Sequence, residues 1–104
     1  MSPRTTPCKL LTIICEAQLE NDLVDDLQRL HATGYTIADV RGRGACGVRD
    51  AAWPPSASIR VEVLCDERTA GNIVDHLERR YYAHYAMVLF LGDVAVLRSG
   101  KFTS

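Results

Sequence analysis

One pattern occurs twice along this 104-residue chain: an apolar strand-length run, an amphipathic segment, and a second run of β-formers. Residues 8–15 (Cys8 to Cys15) form an apolar run with a Cys and an Ile pair, suited to a buried strand. Glu20-Asn21-Asp22 then opens a helix whose acidic first turn suits the helix dipole. Leu19, Leu23, Leu27 and Leu30 fall on one helical face with Val24 beside them. Gly34 follows as a C-cap glycine, and Tyr35 to Val40 reads as the next strand. In the second copy, Ile59, Val61 and Val63 alternate with Arg60 and Glu62, and Asp66 is placed to N-cap a helix over Glu67–Tyr82. Ala70, Ile73, Val74, Leu77 and Tyr81 form its apolar stripe. Residues 86–91 are again apolar, Gly92-Asp93 predicts a turn, and residues 94–97 predict a short last strand.

Two strand–helix–strand units joined by a long loop predict an α+β chain of the ferredoxin-like, split βαβ class, with both helices on one face of an antiparallel sheet. The length suits one domain, residues 1–104, with an N-terminal arm at 1–7, a loop at 42–58 and a C-terminal tail at 99–104. The strands at 8–15 and 86–91 show little polar alternation, so both of their faces are expected to be buried. Helices on one side leave the other side bare, which calls for a homo-oligomer packed sheet to sheet.

Twelve basic and 13 acidic side chains give a net charge of −1, which disfavours a globally basic nucleic-acid binder. No apolar stretch approaches the ~20 residues of a membrane span, and Met1 to Pro7 lacks a signal-peptide core, so a cytoplasmic protein is expected. Cys8, Cys15 and Cys65 sit in apolar runs and read as small hydrophobes. Cys46 lies in the Gly/Arg loop, where Arg43 and Arg49 could lower a thiol pKa; an ordinary loop thiol is the simpler reading. With no CxxC spacing and no neighbouring His pattern, no metal site is expected.

The chemistry concentrates in the loop Arg41-Gly42-Arg43-Gly44-Ala45-Cys46-Gly47-Val48-Arg49, which leads on to Trp53-Pro54-Pro55. A glycine-rich turn lets backbone N–H groups close on an anion, and arginine adds bidentate donors. No helix follows, so this is not a dinucleotide fingerprint. Arg41, Gly42, Arg43, Gly44 and Arg49 are candidates for an anion or phosphate. Tyr81, Tyr82 and Tyr85 are candidates for stacking on an adenine, although core packing is the better reading for Tyr81. Trp53 reads either as a partner anchor or as a residue folded on its own subunit.

The segment Gly34-Tyr35-Thr36-Ile37-Ala38-Asp39-Val40-Arg41-Gly42-Arg43-Gly44 resembles the strand-to-T-loop signature of the PII signal-transduction superfamily. Arg60-Val61-Glu62-Val63 is similar to that family's third strand, and Arg98-Ser99-Gly100 to the Arg-Thr-Gly after its last core strand. The resemblance spans roughly residues 8–100. It implies a homotrimer that binds adenine nucleotides between subunits and signals through the T-loop to a partner. Carried over by position, it implies that Thr36, Gly42, Gly44, Leu64 and Arg98 line the nucleotide site.

The chain also departs from the nitrogen-sensing pattern. Tyr81 to Tyr85 stands where a GDGK-like B-loop is expected, Val96 replaces the first C-terminal arginine, and Ala45 replaces a polar residue after the GxG. Val48-Arg49 and the Val-Leu-Arg end resemble instead the PII-like branch linked to bicarbonate transporters and carboxysomes. That branch implies AMP, ADP or cyclic AMP as ligands, a response to bicarbonate, here at Arg41, Gly42 and Arg43, and a membrane inorganic-carbon transporter as partner. Its C-terminal Cys-Gly-Pro-x-Gly-Cys redox extension is absent from this sequence.

His31, His76 and His84 form no spacing-based set with an Asp or a nucleophile, and Asp22, Asp25 and Asp26 read as a solvated helix face. A regulatory protein rather than an enzyme is therefore expected. The alternative is a metal-binding or divalent-cation-tolerance-type trimer on the same fold, since fold alone does not separate them.

Overall fold

The computed structural model describes residues 4–42 and 57–97. The elements are β1 (Thr6–Glu16), a 3₁₀ turn (Ala17–Leu19), α1 (Glu20–Arg29), β2 (Tyr35–Val40), β3 (Ser58–Cys65), α2 (Glu67–Tyr81) and β4 (Met87–Val96). The strands form one sheet in the order β2-β3-β1-β4, with every neighbouring pair antiparallel. This is the ferredoxin-like arrangement that the doubled pattern predicts.

Period-two alternation divides the sheet into two faces. Leu11, Ile13 and Cys15 of β1 and Ile59, Val61 and Val63 of β3 point one way and are fully buried. Leu23 and Leu27 of α1, and Ile73 and Leu77 of α2, close over them in a single core cluster. Each such side chain contributes roughly 1.5–3 kcal/mol on burial. Asp66 caps α2 as expected: its side chain accepts a hydrogen bond from the Thr69 backbone N–H at 2.7 Å. That bond holds the Asp66 carboxyl below its ordinary range.

Several features differ from expectation. β1 begins at Thr6, so the last two residues of the 1–7 arm lie in the strand. Gly92 and Asp93 make no turn, because β4 is continuous. They stay in register opposite Leu10 and Lys9 of the long β1, and Lys9 Nζ lies 2.5 Å from Asp93 Oδ1. Cross-strand pairing along β1 overrides the local turn signal.

α1 stops at a different place from the one Gly34 marks. His31 takes the left-handed conformation, φ 67°. Its N–H bonds to Gln28 O (3.2 Å) and the Ala32 N–H bonds to Leu27 O (2.9 Å), which together make a Schellman cap. Histidine is among the non-glycine residues that tolerate this region.

Asp26, assigned to a solvated face with Asp22 and Asp25, is 1% exposed. It falls seven residues after Leu19 and three after Leu23, so the apolar stripe of α1 carries it inward. Its Oδ2 accepts from the Tyr81 hydroxyl (2.6 Å) and its Oδ1 from Arg80 Nη1 (2.5 Å). His76 Nε2 lies 3.3 Å from the same Oδ1, within ion-pair reach but without the alignment of a hydrogen bond. Tertiary structure thus brings a His and an Asp together where sequence spacing does not.

The second sheet face is bare in the single chain. Val88 and Phe90 point to this face and are exposed, Phe90 at 52%, whereas the strand at 86–91 is expected to be buried on both faces. On the helix side Leu91 is exposed too, and with Leu89 it lines a shallow apolar groove between β4 and α2 that Val74 and Tyr82 share.

Two outcomes follow from the core. Tyr81→Phe strands a buried carboxylate oxygen of Asp26. Its urea midpoint should fall by the equivalent of about 1.5–3 kcal/mol, the range for a hydrogen bond to a charged group, with an unchanged m-value. The second outcome concerns alkaline pH. Burial pushes the Cys15 thiol up from 9.0 to about 12 and the Cys65 thiol up to about 11. Their folded-state values lie above the unfolded ones, so the stability they contribute is complete below pH 9.0 and is lost as pH rises toward 11 and 12. Burial and the bond to Asp26 raise Tyr81 with the same sign. Denaturant midpoints should therefore decline between pH 9 and 11, and Cys15→Ala should flatten that decline.

Candidate functional site

The two ends of the long loop leave and rejoin the sheet side by side. Val40 pairs with Ser58, so Arg41 and Gly42 depart where Ala57 returns. Arg41 and Gly42 are exposed, and a Cβ on Gly42 would meet nothing within 4 Å. The return is held by the Ala17 N–H, which donates to Ala57 O at 2.8 Å.

Ile37, Val61 and Val63 face the helices, so the residues between them face the bare side. On that side Thr36 pairs directly with Glu62, and Ala38 with Arg60. Leu64 follows Glu62 on the same face and pairs with Leu10 of β1. Thr36 and Arg60 are exposed, and Glu62 and Leu64 are half-buried. The result is an open strip with Thr36, Glu62 and Leu64 at one end. Arg41 and Gly42 stand at the other end, about six residues and about 20 Å along β2 at about 3.3 Å per residue.

Of the sequence candidates, this strip brings Thr36 and Leu64 together and carries them toward Arg41 and Gly42. Tyr85 is elsewhere. It lies in the connection between α2 and β4, half-buried, with its ring centroid 6.0 Å from that of Tyr81 in an edge arrangement. β4 and β2 are opposite edges of the sheet, so no single chain places Tyr85 beside Thr36. Tyr81 is a core residue, buried and bonded to Asp26, and is unavailable for stacking. Arg43, Gly44, Arg49 and Arg98 lie outside the described residues, as do Cys46 and Trp53.

Glu62 is the residue that sequence reading passed over as a site member. The alternation Arg60-Val61-Glu62-Val63 shows that its side chain leaves the core, but only the strand register shows that it stands opposite Thr36. The pair offers a carboxylate and a hydroxyl, acceptors and a donor suited to the polar edge or sugar hydroxyls of a ligand lying on the sheet. Arg60 adds positive charge to the same surface. Among the described residues, no group of three or more His, Cys, Asp or Glu could hold a metal ion. Among them, too, no helix is long and apolar enough to cross a membrane.

This chain is similar in structure to a PII-like signalling protein of Thermus thermophilus at 39% identity, TM-score 0.79, covering 94% of this chain and 97% of that one. CPII of Thiomonas intermedia K12, bound to ADP and bicarbonate, matches at 26% identity and TM-score 0.80, covering 97% of this chain and 99% of that chain. The same protein bound to ADP, AMP and acetate matches at 25% identity and TM-score 0.80, covering the same shares. The profile of the Nitrogen regulatory protein P-II family matches residues 8–101, and this chain belongs to that family.

Proposed function

We propose that this protein is a regulatory homotrimer that binds AMP or ADP in clefts between its subunits and signals through its T-loop. It acts in the cytoplasm and carries out no catalysis of its own. The observation that carries this reading is the open Thr36–Glu62–Leu64 strip running toward Arg41 and Gly42. It occurs in a chain 26% identical to CPII, a protein bound to ADP and bicarbonate. One subunit supplies only one wall of a cleft. Tyr85, with Arg98 from the C-terminal segment, then belongs to the wall that the neighbouring subunit contributes. Arg43, Gly44 and Arg49 complete the phosphate end from the loop.

The bare sheet face supports the trimer. Val88 and Phe90 alternate outward on β4 beside Leu10 and Ile14 of β1, and a symmetric ring of three such faces removes them from water. Light scattering at micromolar concentration should return about three times the 11.5 kDa chain mass. A monomer would overturn the assembly and the shared cleft with it.

The stretch Tyr81-Tyr82-Ala83-His84-Tyr85 has neither glycine nor lysine, so this segment has little to offer a γ-phosphate. Each charge-assisted bond that goes unmade is worth about 1.5–3 kcal/mol, about tenfold or more in affinity. Cyclic AMP shares the adenosine and a single phosphate and belongs in the same series. Bicarbonate, a small planar anion, fits the donors of Arg41, Gly42 and Arg43 beside the nucleotide. The output is then a T-loop whose order reports nucleotide and inorganic carbon to a partner such as a membrane bicarbonate transporter.

Calorimetric titration tests the ligands. AMP and ADP should bind at least about tenfold more tightly than ATP, and Arg98→Ala should weaken them without unfolding the protein. Exchanging chloride for bicarbonate at constant pH and ionic strength should tighten AMP or ADP. By linkage, the nucleotide must tighten bicarbonate by the same factor. A strong ATP preference rejects the phosphate assignment, and equal affinities in both anions remove the carbon input.

A further inference from the structure

Two loops of this protein are anchored on adjacent residues of one short segment. Glu16 is the last residue of β1, extended at φ −67° and ψ 136°. Its Oε2 accepts a hydrogen bond from the backbone N–H of Ala86 at 2.9 Å. Its Oε1 accepts from Gln18 Nε2 at 2.7 Å, which fixes the carboxylate from the other side. The next backbone N–H, that of Ala17, donates to Ala57 O. The Glu16 Cα carries the side chain that holds Ala86 and is bonded to the planar peptide unit that bears the Ala17 N–H. A shift of that Cα therefore moves both anchors.

Each anchor holds the end of a loop. Ala57 and Ser58 are where the long β2–β3 loop returns, and Ser58 pairs with Glu16 itself. Ala86 is where the α2–β4 connection ends, one residue before Met87 pairs with Cys15. The start of that connection is held separately, by Tyr81 O accepting from the N–H groups of His84 (3.1 Å) and Tyr85 (3.0 Å). Ala86 is buried, so Glu16 is what keeps its N–H from being orphaned.

We infer that Glu16 is a positioning residue that couples Ala57, where the β2–β3 loop returns, to Ala86, where the α2–β4 connection ends, so that a restraint on one is passed to the other through the end of β1. A ligand that restrains either of these residues then lowers the entropy cost of restraining the other. For an adenosine mono- or diphosphate at the proposed site this makes the two loops respond as one. That last step rests on the proposed nucleotide binding; the mechanical coupling does not.

Amide hydrogen exchange on the full chain reads both anchors directly: the Ala86 N–H reports its bond to Glu16, and the Ala17 N–H its bond to Ala57. Without nucleotide, Glu16→Ala should accelerate Ala86 at least about tenfold and Ala17 by the same factor within about threefold, with the Val61 amide in the central β3 unchanged. Glu16→Gln keeps an acceptor and should restore both. Gln18→Ala frees the carboxylate without removing it and should give a smaller, parallel change; it also serves if Glu16→Ala does not fold. The coupling is overturned if Ala17 keeps its protection while Ala86 loses it, or if Val61 accelerates as much as Ala17, which marks general destabilisation. Adding AMP to the wild type should protect Ala17 and Ala86 together, and protection of only one also overturns the coupling. If AMP does not bind at all, the nucleotide reading fails, while the ligand-free exchange still decides the role of Glu16.

Discussion

β1 is the strand on which the rest of this protein depends. It pairs along its length with both β3 and β4, and β2 joins the sheet only through β3. One of its faces, Leu11, Ile13 and Cys15, forms the floor under the two helices. The other, Leu10, Thr12 and Ile14, is the centre of the bare side. Its length also decides the shape of β4: with eleven residues available for pairing, a Gly-Asp dipeptide that elsewhere turns a chain is drawn into the ladder. The backbone bonds of an edge strand are satisfied on only one side, so pairing with β1 outweighs the local preference.

The helices are joined by different physics. Most of their contact is hydrophobic and non-directional, but Asp26 adds a directional element. A carboxylate this deeply buried is tolerated only with partners, and here both come from the last residues of α2, Arg80 and Tyr81. Arg80 also lies 5.3 Å from the centroid of the Tyr81 ring, adding a cation–π contact. The end of α2 is thereby pinned to α1 immediately before the α2–β4 connection begins. Tyr85 packs on Tyr81 just beyond it, so a polar contact in the core sets the starting point of a loop that the proposed site uses.

The proposed site has the character of a half-site. Its polar members lie on an open sheet strip rather than in an enclosed pocket, and Tyr85 sits across the sheet from it. A ligand on such a surface needs a second wall, and the same face that carries the strip carries the exposed apolar side chains that would bring one. In the proposed function, binding and assembly then draw on one surface.

Local sequence settles the order of the two strand–helix–strand units, the split βαβ class, the N-cap at Asp66 and the outward alternation of Arg60 and Glu62. Each of these is written in local periodicity or in a capping residue acting within one turn. The family resemblance is legible for the same reason, since its signature is a continuous strand-to-loop segment. Relations between residues far apart in the chain come only with the fold. Asp26 looks like its neighbours Asp22 and Asp25 until α2 brings Arg80 and Tyr81 against it. His31 gives no sign of its left-handed cap, because Gly34 offers the stronger local signal. Glu62 becomes a site candidate only when register sets it opposite Thr36, and Glu16 is an ordinary strand-end carboxylate until the start of β4 delivers the Ala86 N–H to it. Hydrophobic period and capping act over a few residues; hydrogen bonds between buried groups depend on which strands and helices meet, and only the folded chain decides that.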